Sequence, residues 1–352
     1  MLILHLLNHV DRVGNGIVNV AVDLACLQAR AGHDVWVASK GGAFESLLAK
    51  HGVRHVRLDQ SRRPMLIWRA LRELRALIRR ERIEVVHAHM VTGYVLARLL
   101  RPGASWRLVA TVHNEWQRSS TLMRGADRII TLSEGGVDRL AARGLPRPRL
   151  RVVRNGVIGS PRDEGAAAPV LALRQPAIVT VAGMYERKGI ADLIVAFDAL
   201  GAPHSNAQLY IVGEGPDRPR FEALARQLPS AERIHFEGFQ PAPRAYLRDA
   251  ALFVLASHTE PFGLVLAEAR DCGCAIVATA VDGAPEALDR GRAGLLVPPH
   301  NPPALTAAMA RLLEDPAEQG RWRDAARENV DWLRVERQHR ETLAVYQDAF
   351  AR

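Results

Sequence analysis

Two α/β domains, each a parallel sheet covered by helices, are the fold class that this sequence predicts. Short apolar runs alternate with helical patterns from end to end, as expected for parallel strands joined by crossover helices. The chain, at 352 residues, exceeds the roughly 250–300 residues at which a single core usually stops growing. Residues 156–176 then change character. Gly159-Ser160-Pro161 and Gly165-Ala166-Ala167-Ala168-Pro169 read as an interdomain linker. The expected division is a first domain at 1–158, a linker at 159–176, a second domain at 177–334 and a terminal helix at 335–352.

In the first half, the apolar run 2–7 is a strand that leads into Gly14-Asn15-Gly16, and a helix from about 17 to 30 stops at Gly32. Strands are expected at 34–38, 85–88, 108–112 and 128–131, with a further one near 150–153. Segment 62–82, bounded by Arg62 and Arg82, carries eight arginines and two glutamates. Its residues Ile67, Leu71, Leu74 and Ile78 share one helical face, which makes it a crossover helix with a solvated arginine face. In the second half, strands are expected at 177–182, 208–212, 234–236, 252–255 and 275–278. Helices are expected at 190–200, from about Gly263, at 303–313, at 317–328 and at 335–351.

A net charge of +9 and a pI near 10.1 call for an anionic partner such as a nucleotide, a nucleic acid or an anionic membrane. Aromatic residues are only 5% of the chain, too few for a base-stacking platform, so no nucleic acid is expected. Three cysteines, Cys26, Cys272 and Cys274, make neither a disulfide framework nor a zinc spacing and suit a reducing compartment. The start lacks a basic n-region and reads as a strand, and no apolar run approaches the roughly 18 residues of a membrane span. A cytoplasmic protein is expected, peripheral at the inner face of the cell membrane if segment 62–82 docks on anionic lipid.

Glu260-Pro261-Phe262-Gly263-Leu264-Val265-Leu266-Ala267-Glu268 is the most informative stretch. It follows an apolar strand and opens a helix, where backbone N–H groups face an anion. Its two carboxylates could hold sugar hydroxyls. Gly183-Met184-Tyr185-Glu186-Arg187-Lys188-Gly189 also joins a strand to a helix, at the usual ligand edge of an open α/β sheet. Lysine is a compact charge suited to phosphate, and Lys188 is one of three lysines among 47 basic residues. An exposed basic turn is the plainer account. Gly213-Glu214-Gly215-Pro216 lies at the same edge, although a Gly-Pro turn explains its glycines as well. Gly14 and Gly16 could bring backbone to a phosphate, but the third glycine of a dinucleotide fingerprint is Asn19. His113 follows a strand at the corresponding edge of the first half, and Asn114 and Glu115 make that loop polar enough to meet a sugar. No Asp-x-Asp and no Gly-x-Ser-x-Gly occurs, so no metal and no serine-hydrolase chemistry is expected.

With Glu260 to Glu268 and Arg187-Lys188-Gly189 in hand, the chain resembles the retaining nucleotide-sugar glycosyltransferases of family 4 (glycosyl transferases group 1). Supporting stretches follow in order: Gly14-Asn15-Gly16, Val86-His87-Ala88-His89, Thr111-Val112-His113, Val153-Arg154-Asn155-Gly156-Val157 and Val212 to Pro216. The resemblance implies the GT-B fold, two Rossmann-like domains facing a cleft, with the C-terminal helix crossing back to the first. It assigns Glu260 to donor-sugar hydroxyls, Glu268 to the ribose, and Arg187 and Lys188 to the leaving diphosphate. Backbone N–H groups of Phe262, Gly263, Leu264 and Val265 would contact sugar and phosphate. His113 would act near the sugar, which makes His113, Lys188 and Glu260 the catalytic set. Glu214, Gly14 and Gly16 complete the donor site. Relatives often carry an arginine where this chain has Met184, and an aspartate where it has Ile158.

The implied function is metal-independent transfer of a hexosyl group to a glycan or lipid-linked hydroxyl, in cell-surface polysaccharide or lipopolysaccharide synthesis. No cofactor beyond the nucleotide-diphosphate sugar is expected. A GT-B nucleotide-sugar 2-epimerase and a non-catalytic sugar-nucleotide-binding subunit are the alternatives. Donor base, sugar and acceptor are not legible in the residues.

Overall fold

The computed structural model describes residues 1–12, 14, 16–61, 63–164 and 171–351. The chain divides into two compact units, Met1–Glu164 with Leu333–Arg352, and Gly165–Trp332.

The first unit is a seven-stranded parallel sheet of β1 (Leu2–Leu6), β2 (Asp34–Ser39), β3 (Arg54–Arg57), β4 (Val85–Ala88), β5 (Arg107–Thr111), β6 (Arg128–Thr131) and β7 (Leu150–Val152), in the order β3-β2-β1-β4-β5-β6-β7. β3 is absent from the expected strands because Arg54-His55-Val56-Arg57 is too polar to stand out. As an edge strand it needs only one partner, and charge there discourages pairing with other chains. Alternate strand residues face opposite helical layers. Leu4, Leu6, Val86 and Leu108 meet the helices Pro64–Arg80 and Val91–Leu100. Ile3, Val85 and Val109 instead meet Val345 and Tyr346 of the C-terminal helix Val335–Phe350.

In the helix Pro64–Arg80 the fully buried face is Ala70, Leu74, Leu77 and Ile78. Ile67 and Leu71, expected in that face, are only partly buried at its margin. The C-terminal helix returns to the first unit, as the family resemblance implied. Val335 N–H donates to the Ile158 carbonyl at 3.0 Å, and Val157 N–H donates to the Leu333 carbonyl at 2.8 Å. The expected linker starts too early. Ser160 Oγ donates to Asp23 at 2.8 Å, and the Arg162 guanidinium grips both oxygens of the same buried carboxylate at 2.9 Å. Residues 159–164 therefore belong to the first unit. Residues 165–170 of the expected linker lie outside the described residues.

The second unit is a six-stranded parallel sheet of β8 (Ala177–Val181), β9 (Gln208–Val212), β10 (Ile234–Gly238), β11 (Leu252–Leu255), β12 (Ala275–Thr279) and β13 (Leu295–Val297), in the order β10-β9-β8-β11-β12-β13. Helices Ile190–Asp198 and Pro302–Glu314 cover one face, and Leu264–Cys272 and Arg244–Asp249 the other. The short β13 is the strand missed here, a three-residue run with no room to show alternation.

Candidate active site

The second sheet reverses its strand order between β8 and β11, and open α/β sheets bind ligands at the carboxyl edge beside such a reversal. Both strong sequence motifs leave the sheet at this point. The basic turn follows β8 and ends on Gly189, whose φ of 63° is left-handed. A Cβ at Gly189 would overlap the Ala256 carbonyl oxygen, so only glycine lets the turn settle against the end of β11. The Arg187 carbonyl accepts the His258 N–H at 2.8 Å, which ties the two loops together. The Lys188 ammonium consequently forms an ion pair with the Glu260 carboxylate. Their side chains are 14% and 10% exposed, which limits solvent screening. Glu260 is anchored further by its own N–H, which donates to Asp282 Oδ2 at 2.9 Å.

Gly263, with φ 79°, turns the chain into the helix Leu264–Cys272, which starts without a side-chain cap. The N–H groups of Leu264 and Val265 thus have no intrahelical acceptor and carry the positive end of the helix dipole. Phe262 turns its ring inward, where it is buried edge-on to Trp332. Glu268 is half-buried one turn along the same helix. Two residues on, the wholly buried Arg270 donates to the carbonyls of Ala287 at 2.8 Å and Glu328 at 2.6 Å. That clamp fixes the helix carrying Glu268.

Met184 is completely buried in the core beneath the helix Ile190–Asp198, so it supplies packing and no charge to the turn. Arg187 is exposed, its guanidinium 5.5 Å from the centre of the Tyr185 ring. Glu214 is also exposed. Its carboxylate pairs with Arg218, and its carbonyl accepts the Met184 N–H at 2.9 Å.

Gly14, Gly16 and His113 belong to the first unit. Gly14 is left-handed at φ 63° and Gly16 opens the helix Gly16–Arg30; Asn15 lies outside the described residues. Ile17 and His113 line a cavity of about 300 Å³ together with Asn8, His89, Thr111 and Asn114. Glu115 does not face it. Its buried carboxylate accepts from Thr131 Oγ1 at 3.1 Å and Arg139 Nε at 2.7 Å, so this part of the expected polar loop is structural.

Behind the cavity is a buried polar network that sequence reasoning missed. His5 stands opposite His87 in the β1–β4 register. His5 Nδ1 is 2.9 Å from His89 Nε2, and His89 Nδ1 is 3.3 Å from His113 Nε2. His87 lies 2.6 Å from the Tyr346 hydroxyl and 2.7 Å from Thr111 Oγ1. Desolvation pushes His5 down to about 4 and holds His87, His89 and His113 well below the ordinary imidazole value. All four rings are therefore neutral at pH 7. The signal was present as His-x-His and Thr-x-His at the ends of adjacent strands, spacings that place each pair on one sheet face.

Two clusters among the described residues have metal-ligand spacing, His5 with His87 and His89, and Asp192 with His258 and His300. His258 Nε2 lies 2.9 Å from Asp192 Oδ2, and its ring is 3.7 Å from that of His300. A search for Asp-x-Asp does not detect such sets.

Comparison with known proteins follows the same division. The model for Glycosyltransferase Family 4 matches residues 14–158, and that for Glycosyl transferases group 1 matches residues 162–329. Glycogen synthase of Mycobacterium tuberculosis is 33% identical over 227 residues, 61% of this chain and 53% of that protein. The chain thus spans about half the length of this relative. Alpha-maltose-1-phosphate synthase of Mycolicibacterium smegmatis is 30% identical over 291 residues, 75% of this chain and 73% of that protein. Among solved structures, Anabaena HepE in complex with UDP and glucose has a TM-score of 0.82 at 19% identity, covering 98% of this chain and 99% of its own. With both family models matched in succession and a relative covered over most of its length, the chain belongs to the family 4, group 1 glycosyltransferases, and its two parallel-sheet units are those of the GT-B fold.

Proposed function

We propose that this protein is a retaining, metal-independent glycosyltransferase that moves a hexosyl group from a nucleotide-diphosphate sugar to a hydroxyl of a glycan or lipid-linked acceptor. Cell-surface polysaccharide or lipopolysaccharide synthesis is the setting. The observation that carries this reading is the shielded Lys188–Glu260 pair beside an uncapped helix start, at the strand-order reversal of the second sheet. As the anomeric C–O bond breaks, negative charge grows on the diphosphate. Lys188, Arg187 and the N–H groups of residues 262–265 stand ready to stabilise it without reorganisation. Glu260 holds donor-sugar hydroxyls, Glu268 the ribose, and Glu214 borders the nucleotide. Gly14 and Gly16 let backbone approach the donor. His113 serves a sugar hydroxyl in the cavity of the first unit. The acceptor oxygen forms the new bond on the face the phosphate leaves, and the acceptor proton passes to a phosphate oxygen.

A panel of UDP-, GDP- and ADP-sugars tests the donor assignment by thermal unfolding. A ligand at 100 times its Kd stabilises by about 2.7 kcal/mol, which raises the melting temperature of a unit this size by about 5–10 °C. One nucleotide class should give that shift equally with and without a chelator. If none does, the donor site is wrongly placed. Donor converted to its 2-epimer without acceptor would identify an epimerase instead.

No described helix is long and apolar enough to cross a membrane. The helix Pro64–Arg80 nevertheless has the character of an interfacial one: Met65 is 85% exposed and Trp68 61%, beside exposed Arg69, Arg72, Arg75 and Arg79. We propose that this face docks on anionic lipid, near a lipid-linked acceptor. Each cation close to such a surface contributes about 1 kcal/mol. Replacing Arg69, Arg72 and Arg79 by Glu should therefore weaken binding to phosphatidylserine-containing vesicles at least about a hundredfold. Wild-type protein that ignores those vesicles at low salt would end the idea.

A further inference from the structure

The imidazole network has a direction, and one amide sets it. Gln28, on the helix Gly16–Arg30, is completely buried between two branches. Its Oε1 is 2.7 Å from His5 Nε2, and its Nε2 donates to the Tyr346 hydroxyl at 3.3 Å. An amide oxygen can only accept, so His5 carries its proton on Nε2 and, being neutral, keeps a lone pair on Nδ1. That lone pair accepts from His89 Nε2–H at 2.9 Å. His89 Nδ1 is then an acceptor too, and its partner 3.3 Å away, His113 Nε2, must be the donor. Along the other branch, Tyr346 accepts from Gln28 and donates to His87 Nδ1 at 2.6 Å. His87 Nε2–H then donates to Thr111 Oγ1 at 2.7 Å.

Both branches end at the same cavity, which Thr111 and His113 line. Among the described residues nothing hydrogen-bonds His113 Nδ1, and the Thr111 hydroxyl proton has no acceptor. We propose that Gln28 is a positioning residue that fixes, through His5 and His89, the tautomer in which His113 offers a lone pair on Nδ1, while through Tyr346 and His87 it leaves Thr111 as a donor. An acceptor next to a donor matches a hydroxyl, which gives one hydrogen bond and takes another. The ligand class is a sugar hydroxyl, and that identification, unlike the tautomer, rests on the transferase reading above. His5, His87 and His89 do not await a metal in this arrangement, because all six of their ring nitrogens are engaged.

Long-range ¹H–¹⁵N correlation spectra of the labelled full chain report which nitrogen of each ring is protonated. Wild-type His5, His89 and His113 should all be protonated on Nε2 at pH 7. Gln28→Met should turn His113 into a mixture of tautomers. Tyr346→Phe should disturb His87 and leave His113 unchanged. His113 protonated on Nδ1 in the wild type, or an unaltered His113 in folded Gln28→Met, would overturn the proposal; the first measurement needs no variant to fold. Divalent metal bound to the ring nitrogens of His5, His87 and His89, read from the same ¹⁵N resonances, would overturn it as well. A nucleotide sugar that stabilises the chain should shift the His113 Nδ1 resonance as it accepts a hydrogen bond, and a resonance that stays put refutes the hydroxyl assignment. Failure of every nucleotide sugar to bind would instead sink the transferase reading, while the tautomer result stands on its own spectra.

Discussion

Lys188→Ala should lower kcat by about 10²–10³-fold, the loss that follows removal of one preorganised donor from a developing anion. The turn that carries Lys188 is held by its own backbone, through the Arg187 carbonyl and the close seat of Gly189. Truncating the side chain should therefore leave the fold intact, while it removes the charge and leaves the shielded Glu260 carboxylate without its cation. Glu260→Ala should be as damaging for a different reason. It removes a sugar ligand and also strands a shielded ammonium, and an uncompensated charge of that kind is costly. Lys188→Arg should recover only part of the rate, because a planar fork does not replace a compact ammonium beside one carboxylate. Steady-state rates at saturating donor, with circular dichroism to verify folding, provide the check. A Lys188→Ala enzyme with unchanged turnover would remove the site assignment.

Gly189→Ala should destabilise the second unit by about 3 kcal/mol. Left-handed backbone at a non-glycine residue costs roughly 1–2 kcal/mol, and the new methyl must also displace the Ala256 carbonyl at the end of a central strand. For a unit of this size the melting temperature should fall by about 6–12 °C. Activity should fall further than stability, because the same displacement separates Lys188 from Glu260. Gly32→Ala is the control. It shares a positive φ, 82°, but its added Cβ meets nothing within 4 Å, so only the backbone cost of about 1 kcal/mol remains. Equal melting shifts in the two variants would show that the close approach at Gly189 carries no weight.

Most central strands were legible because buried parallel strands are short, apolar and bounded by turns. Arg54-His55-Val56-Arg57 was not, since an edge strand tolerates charge that a central one cannot. Pro161 to Asp163 read as linker because Gly, Ser and Pro mark turns locally. Their anchor is Asp23, 137 residues from Ser160, and no local pattern reveals a partner that distant. The boundary of the returning helix was clear, as apolar residues at helical spacing resume at Val335 after the short turn near Leu333.

At the candidate site the division is sharper. Chain chemistry alone supplied the two glutamates, the rare lysine beside Gly189 and the glycine that opens the helix Leu264–Cys272, because charge type and turn residues are local properties. It also gave the family, through motifs dense enough to resemble one. Packing decided the rest. It paired Lys188 with Glu260, turned Phe262 and Glu115 inward, put Met184 in the core and aligned four imidazoles behind one cavity. Each of those outcomes depends on which strands lie side by side. Strand order joins residues dozens of positions apart, and it is set by the burial of whole sheet faces, a quantity that no single stretch of residues contains.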